Sequence, residues 1–393
     1  MGNPWPAGAS SCNEAWLGFC SLQRNPSPLM LEFLPRYNTA DFPGRCKWLL
    51  SRALWVYLVC FALVVLGVLL TGEEAMLGGL LALPLPYLIY GQVLVGVLGL
   101  LLRSYSGLFG LGFFGLSLLT FPGLLRLPLP ASGGALPDSS CVVVSYNLNY
   151  LRTVVLQPEA ERPRHFAAFY EFLKQQGSPD FLCVQETSSA SYRPIARDMG
   201  YAHYFGHKGT MIFSRRPFLD KGHLDFGATD NSCTWVDVEI QGQRVRLYSA
   251  HLQSSRASGV LAQYLLGGHI FHRNGLVLAL EILRRYGESL RERRRQASVL
   301  MEHIRRCPWP VILCGDFNEP PTSLVYRRMS RLLQDSFRLA GSALGATYGS
   351  PFPFLRLDYV FCSPSFRVLE HQVLRRPYSD HFPVVVRFGW ASP

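Results

Sequence analysis

An α/β domain behind an all-α transmembrane region is the architecture this sequence predicts, on three observations. The first third of the 393-residue chain holds three long apolar stretches almost free of charge. From residue 141 onward, short β-like runs alternate with helical patterns, which implies an α/β rather than an all-β core. Six of those runs terminate in or carry polar groups: CVVVSYN (141–147), DFLCVQE (180–186), LYSAHLQS (247–254), VILCGDFNEPPTS (311–323), LRLDYVF (355–361) and SDHFPVVV (379–386). A buried strand that ends in Asn, Glu, Asp-x-Asn or Asp-His points a polar group into a cleft, and six such events exceed what packing explains.

Charged residues make up only 17% of the chain and the hydrophobic class 49%, because the N-terminal third carries so little charge. That asymmetry marks a membrane segment. The net charge of +11 favours polyanionic partners, either nucleic acid or an anionic lipid surface. Arginine dominates the excess, notably Arg284-Arg285 and the run Arg291-Glu292-Arg293-Arg294-Arg295. The ten cysteines form no CxxC pair and no zinc spacing, which argues against a structural metal site. Cys183 and Cys314 fall inside apolar strand runs and read as small buried thiols.

In order along the chain, residues 1–44 are rich in Pro, Ser, Gly and Asn and read as a mobile leader. The membrane region spans 45–126, with three expected helices: Ala53–Leu70, Met76–Leu102 and Tyr105–Leu125. Arg45, Lys47 and Arg52 precede the first, Glu73 and Glu74 follow it, and Arg103 separates the second from the third. The positive-inside rule then makes this a multi-pass integral membrane protein with a cytoplasmic N-terminus and a non-cytoplasmic C-terminal domain, although Arg126 counts against that orientation. Residues 127–140 form a short Pro/Gly/Ser linker, and the folded domain covers 141–393. Helices are expected at Arg164–Gln176 and Gln296–Arg306, with turns at Gly177-Ser178-Pro179 and Glu319-Pro320-Pro321. Leu261–Arg295, apolar at its start and basic at its end, reads as a helical insertion.

Asp316-Phe317-Asn318 is the most specific element. Strand alternation places Asp316 and Asn318 on one side, a carboxylate to orient or deprotonate water beside an amide that can hold a phosphoryl oxygen. Pro320, Pro321 and Ser323 then stop the strand and start a helix. Glu186 offers the hard carboxylate oxygen that Mg2+ prefers. Asp380 and His381 supply a ligand and an imidazole suited to proton transfer near neutral pH. Asp358 sits in an otherwise apolar run, where burial demands a partner such as the His381 imidazolium. Each run alone has a structural explanation: a strand-terminal turn, a helix-start glutamate, a packed histidine. Their joint occurrence points to a site.

The runs SYN at 145–147, QE at 185–186, SAH at 249–251, GDFN at 315–318, RLDY at 356–359 and SDH at 379–381 resemble, in order, the motif set of the endonuclease/exonuclease/phosphatase superfamily. That superfamily includes apurinic endonucleases, pancreatic-type DNases, inositol polyphosphate 5-phosphatases and neutral sphingomyelinases. The resemblance covers about residues 141–388 and extends to membrane-anchored bacterial members. It implies a four-layer α/β sandwich, two mixed β-sheets between helices, and a metal-dependent phosphodiesterase using Mg2+ or Mn2+. Glu186, Asn147 and Asp380 would lie on the metal side. Asp316 would align or activate water, Asn318 and His251 would stabilise phosphoryl oxygens, and Asp358 would orient His381. Asn149 departs from the pattern, since apurinic-type members carry an acidic residue there. The implied activity is nuclease-like, on a phosphate ester of nucleic acid, with a phospholipid headgroup as in neutral sphingomyelinases the alternative substrate, membrane lipid around the N-terminal helices and no protein partner. A binding protein that had lost activity would not need this complete set.

Overall fold

The computed structural model describes residues 42–70, 76–127, 140–175, 179–227, 229–254, 275–349, 354–376 and 378–391. The expected leader up to residue 41, most of the expected linker (128–139), Gly177 and Ser178 of the expected turn and the first part of the expected insertion (up to 274) lie outside the described residues. The chain divides into two compact units, Met1–Arg52 and Ala53–Pro393.

Four helices open the described chain: α1 (Phe42–Leu70), α2 (Met76–Ala82), α3 (Leu85–Leu101) and α4 (Ser106–Thr120). Among the described residues, one helix is long and apolar enough to cross a bilayer, Gly44–Leu70 within α1, with 27 residues. The expected single span Met76–Leu102 is instead two helices, because Pro84 and Pro86 interrupt it. The expected third span, Tyr105–Leu125, is helical only to Thr120, since Pro122-Gly123 turns the chain. At 17 and 15 residues, α3 and α4 rise about 26 and 23 Å, short of a hydrocarbon core of about 30 Å. They pack as an antiparallel hairpin at near backbone contact. A Cβ on Gly107 would lie 2.5 Å from the Leu100 nitrogen and 2.8 Å from the Gly99 carbonyl carbon.

The next elements are β1 (Cys141–Asn147), α5 (Arg152–Val155), α6 (Arg162–Lys174), β2 (Phe181–Gln185), α7 (Ser189–Met199), β3 (His203–His207) and β4 (Thr210–Ser214). They are followed by β5 (Asp220–Asp225), β6 (Ser232–Ile240), β7 (Gln243–His251) and α8 (Gly275–Arg305). The chain closes with β8 (Val311–Asp316), α9 (Leu324–Leu332), β9 (Gln334–Asp335), α10 (Ser336–Ala340), β10 (Asp358–Cys362), β11 (Phe366–Val373) and β12 (Val384–Trp390). Helix α6 starts two residues earlier than its periodicity predicts, because Pro163 suits a first helical turn. The basic stretch up to Arg295 is not a separate insertion. It continues into the expected helix at Gln296–Arg306 as one 31-residue α8.

The strands form two six-stranded sheets, ordered β11-β12-β1-β2-β4-β3 and β5-β6-β7-β8-β10-β9. Both are mixed, and each holds one parallel pair, β1 with β2 and β7 with β8. The sheets face each other across a core of Val143, Phe181, Ile212, Val236, Leu247 and Ile312, to which Cys183 and Cys314 also belong. The outer face of the first sheet packs on α6 and α7 through Phe169, Phe172 and Ile195. That of the second packs on α8 and α9 through Leu300, Met301 and Met329. The result is the expected four-layer sandwich.

Two stability outcomes follow from these positions. Gly107→Val should cost about 1–3 kcal/mol by overpacking the α3–α4 contact, read as a lowered thermal midpoint in detergent. His371 is buried with Nδ1 2.9 Å from the Ser336 hydroxyl, and burial depresses its pKa to about 3. The unfolded chain therefore binds a proton here that the fold refuses, and stability should fall as pH drops below about 6.5, by up to about 1.4 kcal/mol per unit. His371→Gln should flatten that slope between pH 7 and 5. An unchanged slope would assign the acid sensitivity elsewhere.

Candidate active site

The parallel pairs place strand ends side by side. Asn147 lies opposite Gln185, and His251 lies opposite Asp316. Across the antiparallel β8–β10 pair, Asp358 also lies opposite Asp316. With a side-chain period of two, the inward-facing rows run Val143-Ser145-Asn147, Leu247-Ser249-His251 and Ile312-Cys314-Asp316. Each row passes from apolar core to polar end. Gly315, at φ 154, permits the close β7–β8 approach, because a Cβ there would collide with the Ala250 carbonyl.

Asn147 holds the centre. Its Oδ1 accepts from the Asn149 amide nitrogen at 3.0 Å, which directs Nδ2 to donate to Glu186 Oε1 at 3.2 Å and Asp316 Oδ2 at 2.9 Å. One neutral amide thus bridges two carboxylates. Glu186 is the first residue beyond β2 and takes a left-handed φ of 50°, which turns its carboxylate out of the sheet.

His381 Nδ1 is 2.8 Å from Asp358 Oδ2, and its Nε2 lies 3.6 Å from Asp316 Oδ2. His251 Nε2 lies 3.5 Å from Glu186 Oε1 and 3.9 Å from Asp316 Oδ2, yet makes no hydrogen bond. Buried Asp358 Oδ1 likewise lacks a partner. Burial raises Asp316 to about 6 against the pull of His381, with Asp358 adding to the rise. Burial also raises Glu186, opposed by the Asn147 hydrogen bond. Burial alone would lower His381, but Asp358 and then Asp316 outweigh it and push the imidazole up to about 10. His251 is lowered by burial. The two histidines therefore differ at neutral pH, one cationic and one neutral.

Ligand atoms of Asp316, Asp358 and His381 all lie within 4.8 Å of one another, a spacing that can enclose a cation. Asp358 Oδ2 and His381 Nδ1 are already committed to each other, so Glu186 and Asp316 form the better pair of hard oxygen donors. The Glu186 side chain is 23% exposed, which leaves a cation access to it, and the orphaned His251 Nε2 faces the same space. This set fits a divalent metal with a phosphate oxygen.

Asn318 is placed differently from its sequence reading. Strand β8 ends at Asp316, and Asn318 has left the strand at φ 52, so alternation does not place it. A turn does so instead: Asn318 N donates to Asp316 Oδ1 at 2.8 Å, and its Nδ2 donates to the Leu252 carbonyl at 3.0 Å. Asp380 Oδ1 accepts from Asn149 Nδ2 at 2.9 Å. The amide at position 149 thus pins a carboxylate that an acidic residue would repel. The expected helix start after Asn318 is present, with Ser323 Oγ capping α9 by accepting from Tyr326 N.

Sequence reasoning missed three supports. Thr347 Oγ1 accepts from both Leu357 N and Asp358 N at 3.0 Å, fixing the start of β10. Ser379 Oγ donates to the Asn147 carbonyl at 2.8 Å. Arg293, read as part of a basic face, is fully buried and donates to Glu319 Oε1 at 2.7 Å and the Gln253 carbonyl at 2.8 Å. Only Ser379 carried a signal, as the first residue of SDH.

The profile of the Endonuclease/Exonuclease/phosphatase family matches residues 144–381, and the chain belongs to that family. It is a phosphoric ester hydrolase, of a family whose members generally use divalent metals. Similar solved structures include humanized D. rerio TDP2 carrying 14 mutations, at 19% identity over 64% of this chain and 100% of that one, with a TM-score of 0.47. A mannosyl-6-phosphatase of Bacteroides thetaiotaomicron is 19% identical over 64% and 100%, with a TM-score of 0.45. The human Nocturnin catalytic domain with a bound sulfate anion is 18% identical over 65% and 97%, with a TM-score of 0.44. The comparison with curated proteins gave no match.

Asp358→Asn should retain the fold and lower turnover by about two to three orders of magnitude, because an amide cannot hold the His381 imidazolium. Circular dichroism and steady-state kinetics on the same preparation separate the two effects. Near-normal turnover would remove Asp358 from the mechanism.

Proposed function

We propose that this protein is a membrane-anchored phosphodiesterase dependent on Mg2+, with Mn2+ as a substitute, that hydrolyses a phosphate diester by in-line attack of water. The observation that carries this reading is the Asn147 amide bridging Glu186 and Asp316 beside the unpartnered His251 Nε2. Glu186 is the principal metal ligand, with Asn147 orienting it and Asp380 completing that side of the site. A divalent cation bound there supplies Lewis-acid polarisation of a phosphoryl oxygen.

The remaining steps belong to side chains. Asp316, held by Asn147 and by the Asn318 backbone, orients the attacking water and accepts its proton. His251 donates from Nε2 to a non-bridging oxygen, and the second amide hydrogen of Asn318 serves the same group. His381, kept cationic by Asp358, neutralises charge developing on phosphorus and protonates the leaving oxygen. Water thus adds as hydroxyl, one ester P–O bond breaks, and the departing oxygen leaves as an alcohol.

In this reading α1 anchors the protein in a bilayer and the catalytic domain lies on the non-cytoplasmic side. This reading draws support from the apolar length of α1 and from α3 and α4, which contain no charged residue. Arg103 stands at the turn between α3 and α4.

Chelation with EDTA should abolish hydrolysis of bis(p-nitrophenyl) phosphate, and added Mg2+ or Mn2+ should restore it. Glu186→Gln should reduce kcat/KM by about 100-fold or more without shifting the thermal midpoint downward. Full turnover by the chelated enzyme, or by the Gln variant, would sink the assignment.

A further inference from the structure

The apolar helices are bonded to the active-site end of the sandwich. Within the unit Ala53–Pro393, Thr322 Oγ1 donates to the carbonyl of Ala82, the last residue of α2, at 2.7 Å. Arg356 Nη2 donates at 3.0 Å to the carbonyl of Gly123, just beyond α4. Arg327 Nη2 reaches the carbonyl of Val68 in the last turn of α1 at 3.3 Å, and Arg126 N donates to the Ala343 carbonyl at 3.0 Å. The first three bonds use carbonyls at or just beyond helix C-termini, where a helix leaves its acceptors without internal donors.

These anchors lie beside the site in sequence and in space. Thr322 follows Asn318 by four residues, and Arg356 precedes Asp358 by two. Ala343 enters the loop whose Thr347 holds the start of β10. Helix α2 packs on α8, where a Cβ on Gly79 would meet Leu290 at 2.7 Å. One turn further along α8, Arg293 bonds Glu319 and the carbonyl of Gln253, two residues past His251. Because β8 ends and β10 begins at the cleft, all of these contacts sit at that end of the second sheet. The opposite end bears none of them among the described residues.

The outward faces of the helices carry Leu63, Leu94, Leu108, Leu116 and Leu119, exposed by 57 to 80%. Such faces, uncharged and adjoining a 27-residue apolar helix, suit the hydrocarbon of a bilayer. Several exposed arginines of α8, by contrast, are engaged with glutamates of the same helix. Arg284 pairs with Glu281 and Glu288, Arg285 with Glu281, and Arg295 with Glu292. Guanidinium groups engaged in this way are poor clamps for a nucleic-acid backbone.

Resting on the phosphodiesterase reading above, we infer that the substrate is a lipid phosphodiester presented at the surface of the bilayer that holds the helices, entering a cleft that borders that surface. Water adds to the lipid phosphorus, one ester P–O bond breaks, and the oxygen that leaves takes a proton, so diester plus water gives a phosphomonoester and an alcohol.

The test uses the full chain in vesicles of phosphatidylcholine, phosphatidylethanolamine, phosphatidylglycerol and sphingomyelin, with Mg2+ or Mn2+ and Glu186→Gln as control. Parallel arms carry the water-soluble deacylated headgroup diesters, a single-stranded oligonucleotide and bis(p-nitrophenyl) phosphate. The expected result is Glu186-dependent cleavage of a vesicle lipid at least about tenfold faster than of its soluble counterpart at equal bulk concentration. Equal rates on the soluble diesters, or preference for the oligonucleotide, overturn the inference. Turnover of bis(p-nitrophenyl) phosphate without lipid cleavage also overturns it while sparing the phosphodiesterase reading. Silence in every arm refutes both.

Discussion

The two-residue side-chain period of a β-strand, imposed on two sheets that face each other, is the constraint on which this site depends. Every second residue of β1, β7, β8 and β10 points into the space between the sheets, so the polar ends of those rows converge where the apolar core stops. Asn147, His251, Asp316 and Asp358 occupy those ends. A slip of one residue in the β7–β8 register would turn His251 or Asp316 toward the helix layer. Gly315 guards against that slip by admitting the Ala250 carbonyl where a side chain would exclude it.

Convergence brings like charges together in a poorly solvated place, and the neighbouring donors decide whether that is tolerable. An unsatisfied buried polar group costs about 1–3 kcal/mol, and a buried charge more. Asn147 Nδ2 serves two carboxylates at once, the His381 imidazolium serves Asp358, and Asn149 serves Asp380. His251 Nε2 and Asp358 Oδ1 remain without hydrogen-bond partners. Open valences of that kind in an otherwise satisfied network are where a ligand gains most.

A second buried network holds the helical region against the sandwich. Arg356 is paired with Asp335 at 2.7 and 3.1 Å and lies over the rings of Phe337 and Tyr359, each 4.5 Å away. The same guanidinium also donates from Nη2 to the Gly123 carbonyl. Loss of either partner would leave the other charge buried and unpaired, a far larger penalty than a surface ion pair would incur. The basic run on α8 divides in the same way, with Arg293 drawn inside to Glu319 while Arg295 pairs with Glu292 along the helix surface.

Composition and periodicity alone determined the α/β class of the C-terminal domain, the apolar character of the N-terminal third and the six polar strand ends, because these depend on local spacing of apolar and polar residues. They paired Asp358 with His381, since a carboxylate in an apolar run needs a partner wherever it folds. Tertiary structure decided the rest. Proline set the lengths of α2, α3 and α4 within stretches whose hydropathy reads as continuous. Turn geometry, not alternation, placed Asn318, and Thr347 gained its role only when its loop folded back on β10. The arginine of α8 that turned inward, and the end of the sandwich to which the helices are bonded, rest on contacts between residues far apart in the chain. Local pattern cannot encode such contacts, because they exist only once the layers have packed.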